Sequence, residues 1–495
     1  MPGLLFLENN SSKKETMDYA GKVISSQGSE VELLVSSDKI EVGSILKLDN
    51  HYAIVSSMRY REDDKIGGRH KLTASLQVFG EKTMKGFRRI KKPVEPYIKA
   101  SLPDASELES LLHTLDEISF GNVSQTEARA YVDGGQYDRH TAILASTGAG
   151  KSYLTANLVK EYALKGLPNL VVDTHGEFLK LLSNIKTGES LNIQVYTVGG
   201  RRQGLEDFTI PVSSLSCRDF THFTSLNDNQ LHALDLVLSR LYRDKGDEYS
   251  MKDLVAAADE IVDEAGTSGV RVHEETAKAL SRRLAGLERT FRDVFTVDGT
   301  DINRLVEPYK CTVIDTSVST QGVRRSIVSY LSKRLLEGRI NKSHSLDGET
   351  IDHPVLFTIE EAHNYGGATL THSCKYQLQR IASEGRKFGV GLLVVSQKPS
   401  KIDEEILSQC NTGIYMHITN PRDKDHIRRS FESISDDVIR ELDSLDVAEC
   451  IITGAMLKLP FLMCKVDEIP VEKQLKTKFN FNRPQKKLVG GFDYD

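Results

Sequence analysis

The sequence predicts an α/β protein with a mostly parallel sheet, a small β-barrel ahead of it and a helical segment inserted into it. A glycine-rich loop at residues 145–152 stands between a short apolar strand and an amphipathic helix. Apolar strands alternate with helices from residue 140 to about 420, which is the pattern of a parallel sheet covered by helices. Short strands separated by polar or glycine turns fill residues 15–95, which favours a barrel.

The composition sets the class of protein. A chain of 495 residues is too long for one ordinary core, so two or three domains are expected. No apolar run approaches the roughly 20 residues that cross a bilayer, and the first residues do not look like a signal peptide. The six cysteines are scattered without a CxxC pair, which argues against a zinc site or a disulfide framework and predicts a cytoplasmic location. The net charge of −6 does not exclude a nucleic-acid partner, because a local basic groove matters more than the sum.

Residues 1–95 are predicted to form the barrel and to serve in assembly or docking, because they contain no catalytic constellation. The predicted strands are short and partly alternating: 22–25, 30–35, 44–48, 52–55 and 72–79. A basic stretch at 85–93 follows, and its charge suits a solvated linker or a nucleic-acid contact.

Residues 96–214 are predicted to be the first part of the α/β core. A helix at about 104–117 leads to a strand at 140–144, the glycine loop, and a helix that Gly166 ends. The next strand, 169–173, finishes in Asp173. An acid at that edge of a parallel sheet either contacts Mg²⁺ or its waters, or caps the following turn.

Residues 215–309 are predicted to be a helical insertion, because three stretches carry apolar stripes, at 230–242, 251–261 and 275–287. The core resumes over residues 310–470. Its strands are predicted at 311–315, 354–359, 390–395 and 413–418, and a hairpin at 448–466 follows. The tail, 471–495, is predicted either to be flexible or to strap onto a neighbouring subunit.

The loop at 145–152, ASTGAGKS, has the residues and the context of a phosphate-binding P-loop. Gly148 and Gly150 let several backbone N–H groups converge on one anion, Lys151 adds a positive charge, and the Ser152 hydroxyl can bind Mg²⁺. The usual first glycine is replaced by Ala145, which is still small. The residues predicted to bind nucleotide are consecutive: Thr147, Gly148, Ala149, Gly150, Lys151, Ser152 and Tyr153.

Two adjacent acids, Glu360 and Glu361, follow the apolar strand at 355–359. Hydrolysis of ATP needs a metal holder and a group that orients water beside the phosphates. We assign Glu360 to the metal shell, with Ser152 and Asp173, and Glu361 to water activation; which glutamate is the base stays open. Gln397 ends the next strand, where its amide can sense the γ-phosphate.

An arginine is expected to offset the charge of the transition state, from this subunit or from its neighbour. Arg386 and Arg380 precede the strand that carries Gln397, and Arg139 precedes the strand before the P-loop. Arg386 is the first candidate for a finger across a subunit interface, and Arg139 is the rival acting within its own subunit. The alternative for Arg386 is a surface ion pair with Glu384 or with a nearby carboxylate.

Five motifs together resemble the HerA branch of the HerA/FtsK ATPases: residues 145–152, VVDTHGE at 171–177, IEEAH at 359–363, EGRKFG at 384–389 and VSQKP at 395–399. The resemblance covers most of the chain and implies a RecA-like core with an N-terminal HAS-like barrel. It implies Mg²⁺ and ATP at subunit interfaces of a homo-hexamer that translocates double-stranded DNA. It further implies a NurA-type nuclease partner in DNA end resection and double-strand break repair. By resemblance, Lys151, Glu361, Gln397, Arg139 and Arg386 are active-site residues.

Two other functions compete with DNA translocation. One is a soluble conjugation or secretion-type motor for protein or DNA, and the other is a scaffold with a degenerate P-loop, which the intact Lys151 and Glu361 disfavour. The loop at 364–375 is predicted either to line a pore, with Lys375 on a phosphate, or to be a surface loop. The direction of travel, the DNA-end preference and hexamer against heptamer are left open.

Overall fold

The computed structural model describes residues 19–62, 70–83, 86–88, 90, 92–184, 191–200, 204–262 and 271–469. The predicted tail at 471–495 and the first 18 residues lie outside this part, and the basic stretch at 85–93 lies partly outside it.

The N-terminal barrel is confirmed, and its sheet has two strands more than the five that the sequence predicted. Its seven strands are β1 (Tyr19–Gln27), β2 (Glu30–Val35), β3 (Ile45–Leu48), β4 (His51–Glu62), β5 (His70–Thr83), β6 (Gly86–Arg88) and β7 (Lys99–Ser101). Their order is β2-β1-β7-β3-β4-β5-β6, and a further β2–β5 pairing closes six of them into a barrel. The closing strand β7 lies beyond residue 95, so the barrel ends at Ser101.

The barrel has its own apolar core and also a face that packs on the rest of the chain. Alternate residues of its strands point inward and form a separate buried cluster that includes Leu33 and Leu76. Ile45, Tyr52 and Ile54 instead belong to the main core. Alternation along β3 and β4 therefore serves two cores, and this fixes the barrel against the α/β domain.

The described core contains the following elements before the helical segment: α1 (Ala105–Leu112), β8 (Glu117–Val123), β9 (Arg129–Asp133), β10 (Thr141–Leu144), α2 (Lys151–Leu164), β11 (Asn169–Asp173), α3 (Phe178–Asn184), β12 (Asn192–Thr197), β13 (Glu206–Asp207) and β14 (Ile210–Pro211). A 3₁₀ turn, Gly134–Arg139, precedes β10. The helical segment contains α4 (Asp228–Lys245), α5 (Met251–Glu260), α6 (Glu274–Thr290), β15 (Phe295–Thr296) and α7 (Ile302–Leu305).

The second half of the core continues with β16 (Lys310–Asp315), α8 (Gln321–His344), β17 (Val355–Ile359), α9 (Ser373–Glu384), β18 (Val390–Ser396), α10 (Glu404–Ser408), β19 (Thr412–Tyr415), α11 (Pro421–Ser430), α12 (Asp436–Glu441), β20 (Glu449–Gly454) and β21 (Phe461–Val466). A 3₁₀ turn, Gly385–Phe388, joins α9 to β18.

One twelve-stranded sheet runs through the core in the order β13-β12-β16-β11-β17-β18-β10-β19-β20-β21-β8-β9. The pairs from β13 to β19 are parallel, and those from β19 to β9 are antiparallel. The central strands are buried at every residue, which is why they read as continuous apolar runs. The α/β prediction is thus confirmed, and all parallel strands end at one edge of the sheet.

The helical insertion is also confirmed. Two of its helices begin at capping boxes: Asn227 and Gln230 form one at α4, and Ser250 and Asp253 form another at α5. The buried residues of each helix recur every three or four positions, as an amphipathic helix requires. Among the helices of the described residues, none has the length and apolarity to cross a bilayer.

Candidate active site

Four neighbouring strands, in the order β11-β17-β18-β10, carry the predicted site residues at their carboxyl ends. The P-loop follows β10, and its Gly148 and Gly150 have φ of 85° and 104°, values that side chains rarely tolerate. A Cβ placed on Gly148 would meet nothing within 4 Å. The loop therefore surrounds open space of the kind that a phosphate group needs.

Lys151 lies in the first turn of α2 with only 5% of its surface exposed. Its Nζ is 3.2 Å from Glu361 Oε1 and 3.6 Å from Glu360 Oε1. Within the described chain, this buried ammonium makes no hydrogen bond of good geometry. A buried donor with unused hydrogen-bonding capacity at the mouth of an open loop fits the phosphates of a nucleotide.

Glu361 is the residue on which the contacts converge. Gln397 Nε2 donates to its Oε1 at 2.7 Å, and Thr147 Oγ1 donates to Gln397 Oε1 at 2.5 Å. His363 Nδ1 is 3.3 Å from the other oxygen, Oε2. The backbone of Glu361 is left-handed, with φ of 50° and ψ of 44°, a costly conformation for this residue type. The carboxylate is therefore held in place by a chain of contacts from the P-loop to β18.

Glu360 is buried behind Glu361. Burial raises its pKa to about 8; Lys151 opposes this shift, whereas Asp173 and Glu361 add to it. The backbone N–H of Thr174 donates to Glu360 Oε2 at 3.4 Å. Without bound nucleotide or metal, this carboxyl group keeps its proton around neutral pH, which is unusual for a glutamate.

We expect this raised pKa to make the unliganded protein less stable as pH rises. The folded state binds one more proton than the unfolded state between the unfolded pKa, 4.5, and the folded pKa, about 8. The free energy of unfolding then falls with pH across that window, and Glu360→Gln should flatten the fall by at least about 1 kcal/mol. Urea unfolding of both proteins at pH 5.5, 7 and 8.5 measures it. Identical pH slopes would contradict the prediction.

Asp173 caps the turn that follows β11. Its Oδ1 accepts the backbone N–H groups of His175 and Gly176 at 3.0 and 2.8 Å, and its Oδ2 accepts that of Phe178 at 2.9 Å. The structure thus shows the capping alternative that the sequence left open. No group of three potential metal-binding side chains is found in the described residues. A metal shell of Ser152, Glu360 and Asp173 stays a prediction.

Arg139 and Arg386 lie at the opposite edge of the sheet. Arg139 precedes β10 and Arg386 precedes β18, whereas the P-loop and Gln397 follow those strands. The four residues of β10 span about 13 Å and the seven of β18 about 23 Å. This separation disfavours Arg139 as the cation for the nucleotide of its own subunit, and the role of Arg139 stays a prediction.

The predicted surface pairing of Arg386 with Glu384 is also not found. Glu384 pairs with Arg380 instead, because Glu384 Oε1 lies 3.7 Å from Arg380 Nε. Arg380 Nη1 also lies 3.6 Å from Glu337 Oε1. Arg386 is exposed, and it has no ion pair within the described part of the chain. Its guanidinium is available to a group from outside the chain.

The site contains two histidines that were not predicted from the sequence as individual site residues, His363 and His175. His363 Nδ1 lies 3.1 Å from Ser396 Oγ as well as close to Glu361, and His175 Nε2 is 4.0 Å from Glu361 Oε1. Burial lowers the pKa of His363, whereas the nearby Glu361 opposes this shift. The available signal was position, since each follows a strand whose carboxyl end reaches this edge.

The structure also shows what surrounds two other residues with predicted roles, Tyr153 and Lys375. Tyr153 is half-buried and packs against the main core. Lys375, predicted to touch a DNA phosphate, is already paired: its Nζ is 2.8 Å from Asp403 Oδ2 and donates to the Ala368 carbonyl at 2.9 Å. The segment around it is ordered by backbone bonds, such as Ala368 N–H to the Lys401 carbonyl. The phosphate role of Lys375 is therefore not supported.

Comparison with known proteins gives a consistent result. The family model for the central domain of the helicase HerA matches residues 118–335. The DNA double-strand break repair helicase HerA of Saccharolobus solfataricus is 30% identical over 372 residues, covering 73% of this chain and 70% of that protein. The protein of the same name from Pyrococcus furiosus is 29% identical, over 66% of this chain and 64% of that one.

A solved structure of VirB4 from Thermoanaerobacter pseudethanolicus superposes on 73% of this chain and 99% of its own. The TM-score is 0.53 and the sequence identity is 15%, so the likeness concerns the fold. It agrees with a RecA-like arrangement of the core.

Proposed function

The chain belongs to the HerA family and is an ATP-hydrolysing enzyme, and from this premise we propose that it is an ATP-driven translocase of double-stranded DNA. We propose further that it works as a homo-hexamer with Mg²⁺-ATP, beside a NurA-type nuclease in the resection of broken DNA ends. One observation carries the proposal most. Three side chains that follow three separate strands converge at the open P-loop: Lys151, Glu361 and Gln397.

The contacts suggest how the site works. Incoming phosphates would replace the two acids as partners of Lys151 Nζ, which already lies at the mouth of the loop. Mg²⁺, held by Ser152 and Glu360, would neutralise phosphate charge. Glu361, freed from Lys151, can accept a proton from the attacking water. Gln397 bonds to both Thr147 and Glu361, so it links a change at the phosphates to the position of the base.

The single chain has an incomplete site. The transition state for phosphoryl transfer calls for a cation near the γ-phosphate beyond Lys151. The two remaining candidates, Arg139 and Arg386, lie on the far edge of the sheet and lack an ion pair within the described residues. A ring in which that edge meets the next subunit's P-loop supplies the missing charge, and this supports the oligomer.

The barrel supports a docking role. Its described residues contribute nothing to the cluster around Lys151, yet the barrel has its own core and also packs on the α/β domain. Lys47 Nζ lies 2.8 Å from Glu107 Oε1 on α1, so the attachment includes an ion pair as well as apolar contact. A rigidly held module without chemistry of its own suits a nuclease partner.

The test is the ATPase rate with and without linear duplex DNA, because duplex stimulation separates a DNA translocase from a protein motor. We expect the rate to rise several-fold with duplex and not with an unfolded protein substrate. With the nuclease added, degradation of the duplex should require ATP. A rate indifferent to DNA would point to the conjugation or secretion-type motor, and ATP-independent degradation would count against the nuclease partnership.

A further inference from the structure

His140, between the 3₁₀ turn Gly134–Arg139 and strand β10, has an unusual backbone conformation for a residue with a side chain. Its φ is 57° and its ψ is 145°. This combination belongs to a region that glycine alone normally adopts, and such outliers persist only where the surroundings hold them. The side chain is 2% exposed, so the ring is part of what holds it.

The ring acts as a substitute for a backbone carbonyl. Strands β10 and β18 pair in parallel from Thr141 opposite Leu393 onward. One residue earlier, His140 Nδ1 accepts the backbone N–H of Leu392 at 3.0 Å. A nitrogen that accepts carries no proton, so the ring proton is on Nε2. Burial lowers the pKa of His140 to about 4 and keeps the ring neutral for this task.

The same residue is fixed on its other side. The backbone N–H of Thr412 donates to the His140 carbonyl at 3.3 Å, and that of Asn411 donates to the Arg139 carbonyl at 2.9 Å. The residue before β10 is thus tied to β18 through a side chain and to the β19 side through backbone. These bonds fix the direction in which the backbone leaves the sheet at Arg139.

The turns that carry the two arginines sit tightly on the start of β18. A Cβ on Gly391 would lie 2.6 Å from the Tyr137 carbonyl oxygen, and a Cβ on Gly385 would lie 2.6 Å from that of Val390. Only glycine allows so close an approach. The positive charge of Arg386 is near enough to lower the pKa of His140 further. The two turns that carry Arg139 and Arg386 are therefore packed on the same end of β18, next to His140.

We propose that His140 is a positioning residue that fixes Arg139 beside Arg386, so that both guanidiniums are presented together to the phosphates of a nucleotide held by a second copy of this chain. The inference rests on the proposed function, because it takes the arginines to act across an interface. The strained residue between the two turns is tied on both sides, to Leu392 and to Thr412, and this fixes the point from which Arg139 leaves the sheet.

The experiment compares His140→Gly, His140→Asn, Arg139→Ala and the double variant His140→Gly with Arg139→Ala, in the full chain with linear duplex DNA. His140→Gly keeps the backbone conformation but frees Arg139, and kcat should fall at least ~10-fold; the KM for ATP should change little, since the chain's own P-loop is at the other edge. The Oδ1 of asparagine can replace Nδ1 as the acceptor that ties this residue to β18, so His140→Asn should recover part of the rate.

The double variant separates positioning from a structural role. If His140 acts through Arg139, the double variant should have the kcat of Arg139→Ala alone, although its unfolding temperature can differ. A further ~10-fold loss in the double variant, a wild-type kcat in His140→Gly, or a wild-type kcat in Arg139→Ala would each overturn the proposal.

Gly391→Ala is a second route in case His140→Gly does not fold. The added Cβ displaces the Tyr137 carbonyl and the turn that carries Arg139, while His140 is intact. Its kcat should fall as well, and a wild-type kcat would overturn the proposal. Loss of ATP hydrolysis in Lys151→Ala, measured in parallel, reports on the proposed function separately. Unchanged hydrolysis there would remove that function and not only His140.

Discussion

Replacement of Glu361 by glutamine is expected to abolish turnover and to leave nucleotide binding intact. The amide keeps the size of the side chain and can still accept from Gln397 Nε2, which is 2.7 Å from Glu361 Oε1. It cannot take a proton from water. Loss of a general base costs on the order of 10² to 10⁴ in kcat, so hydrolysis should fall to near background. Binding should persist or tighten, because Lys151 loses an acid that competes with the phosphates.

The measurements are steady-state ATPase rates and equilibrium titration with a fluorescent nucleotide. Lys151→Ala is the contrasting variant, in which binding itself should weaken, since it removes the charge that faces the phosphates. Glu432→Gln, at an exposed glutamate, is the matched control and should behave as wild type. Near-normal turnover in Glu361→Gln, together with a strong loss in Glu360→Gln, would transfer the role of base to Glu360.

Two inactive variants, Lys151→Ala and Arg386→Ala, are expected to recover part of the activity when they are mixed. Arg386 lies at the amino end of β18 and Gln397 at its carboxyl end, so Arg386 can serve only the nucleotide of another subunit. In mixed rings, some interfaces join an intact P-loop to an intact Arg386. An arginine finger contributes on the order of 10³-fold or more to the rate, so even a minority of such interfaces should be measurable.

Lys387→Ala, one residue along the same exposed turn, is the control for loss of positive charge and should keep its rate. Arg386→Lys should stay largely inactive, because an ammonium cannot make the forked contact of a guanidinium. Absence of recovery, with mixed rings confirmed by native mass spectrometry, would exclude a finger at Arg386 and leave Arg139 as the residue to mix next.

The sequence was most informative where local pattern and topology agree. Buried strands followed by polar side chains predicted that Lys151, Glu361 and Gln397 meet, because parallel strands all end at one edge. The same rule, applied to the other end of the strands, places Arg139 at the edge of the sheet opposite its own P-loop. Nearness in sequence was misleading here: Arg139 is only eight residues from Thr147, but β10 lies between them.

Other features depend on contacts that a single sequence does not contain. The left-handed backbone at Glu361 and the outlier at His140 occur in residue types that seldom adopt them, so no propensity predicts either. The barrel's closing strand, Lys99–Ser101, has three residues and gains its identity from pairing with β1 and β3. Strand β8 was not predicted from the sequence. It contains Gly121, and a Cβ at that position would collide with the Lys465 carbonyl of the partner strand.

Strand β10 joins the two edges of the sheet by the shortest possible path. Its four residues are fully buried and pair on both sides, with β18 and with β19. In a closed ring, each copy would bind one nucleotide at one end of this strand and contact the next nucleotide from the other end. Close-packed interiors move as units, so a small shift of the strand along its axis would alter both sets of contacts at once. Consecutive nucleotide sites would then be mechanically coupled, and hydrolysis at one site would set the time of hydrolysis at the next.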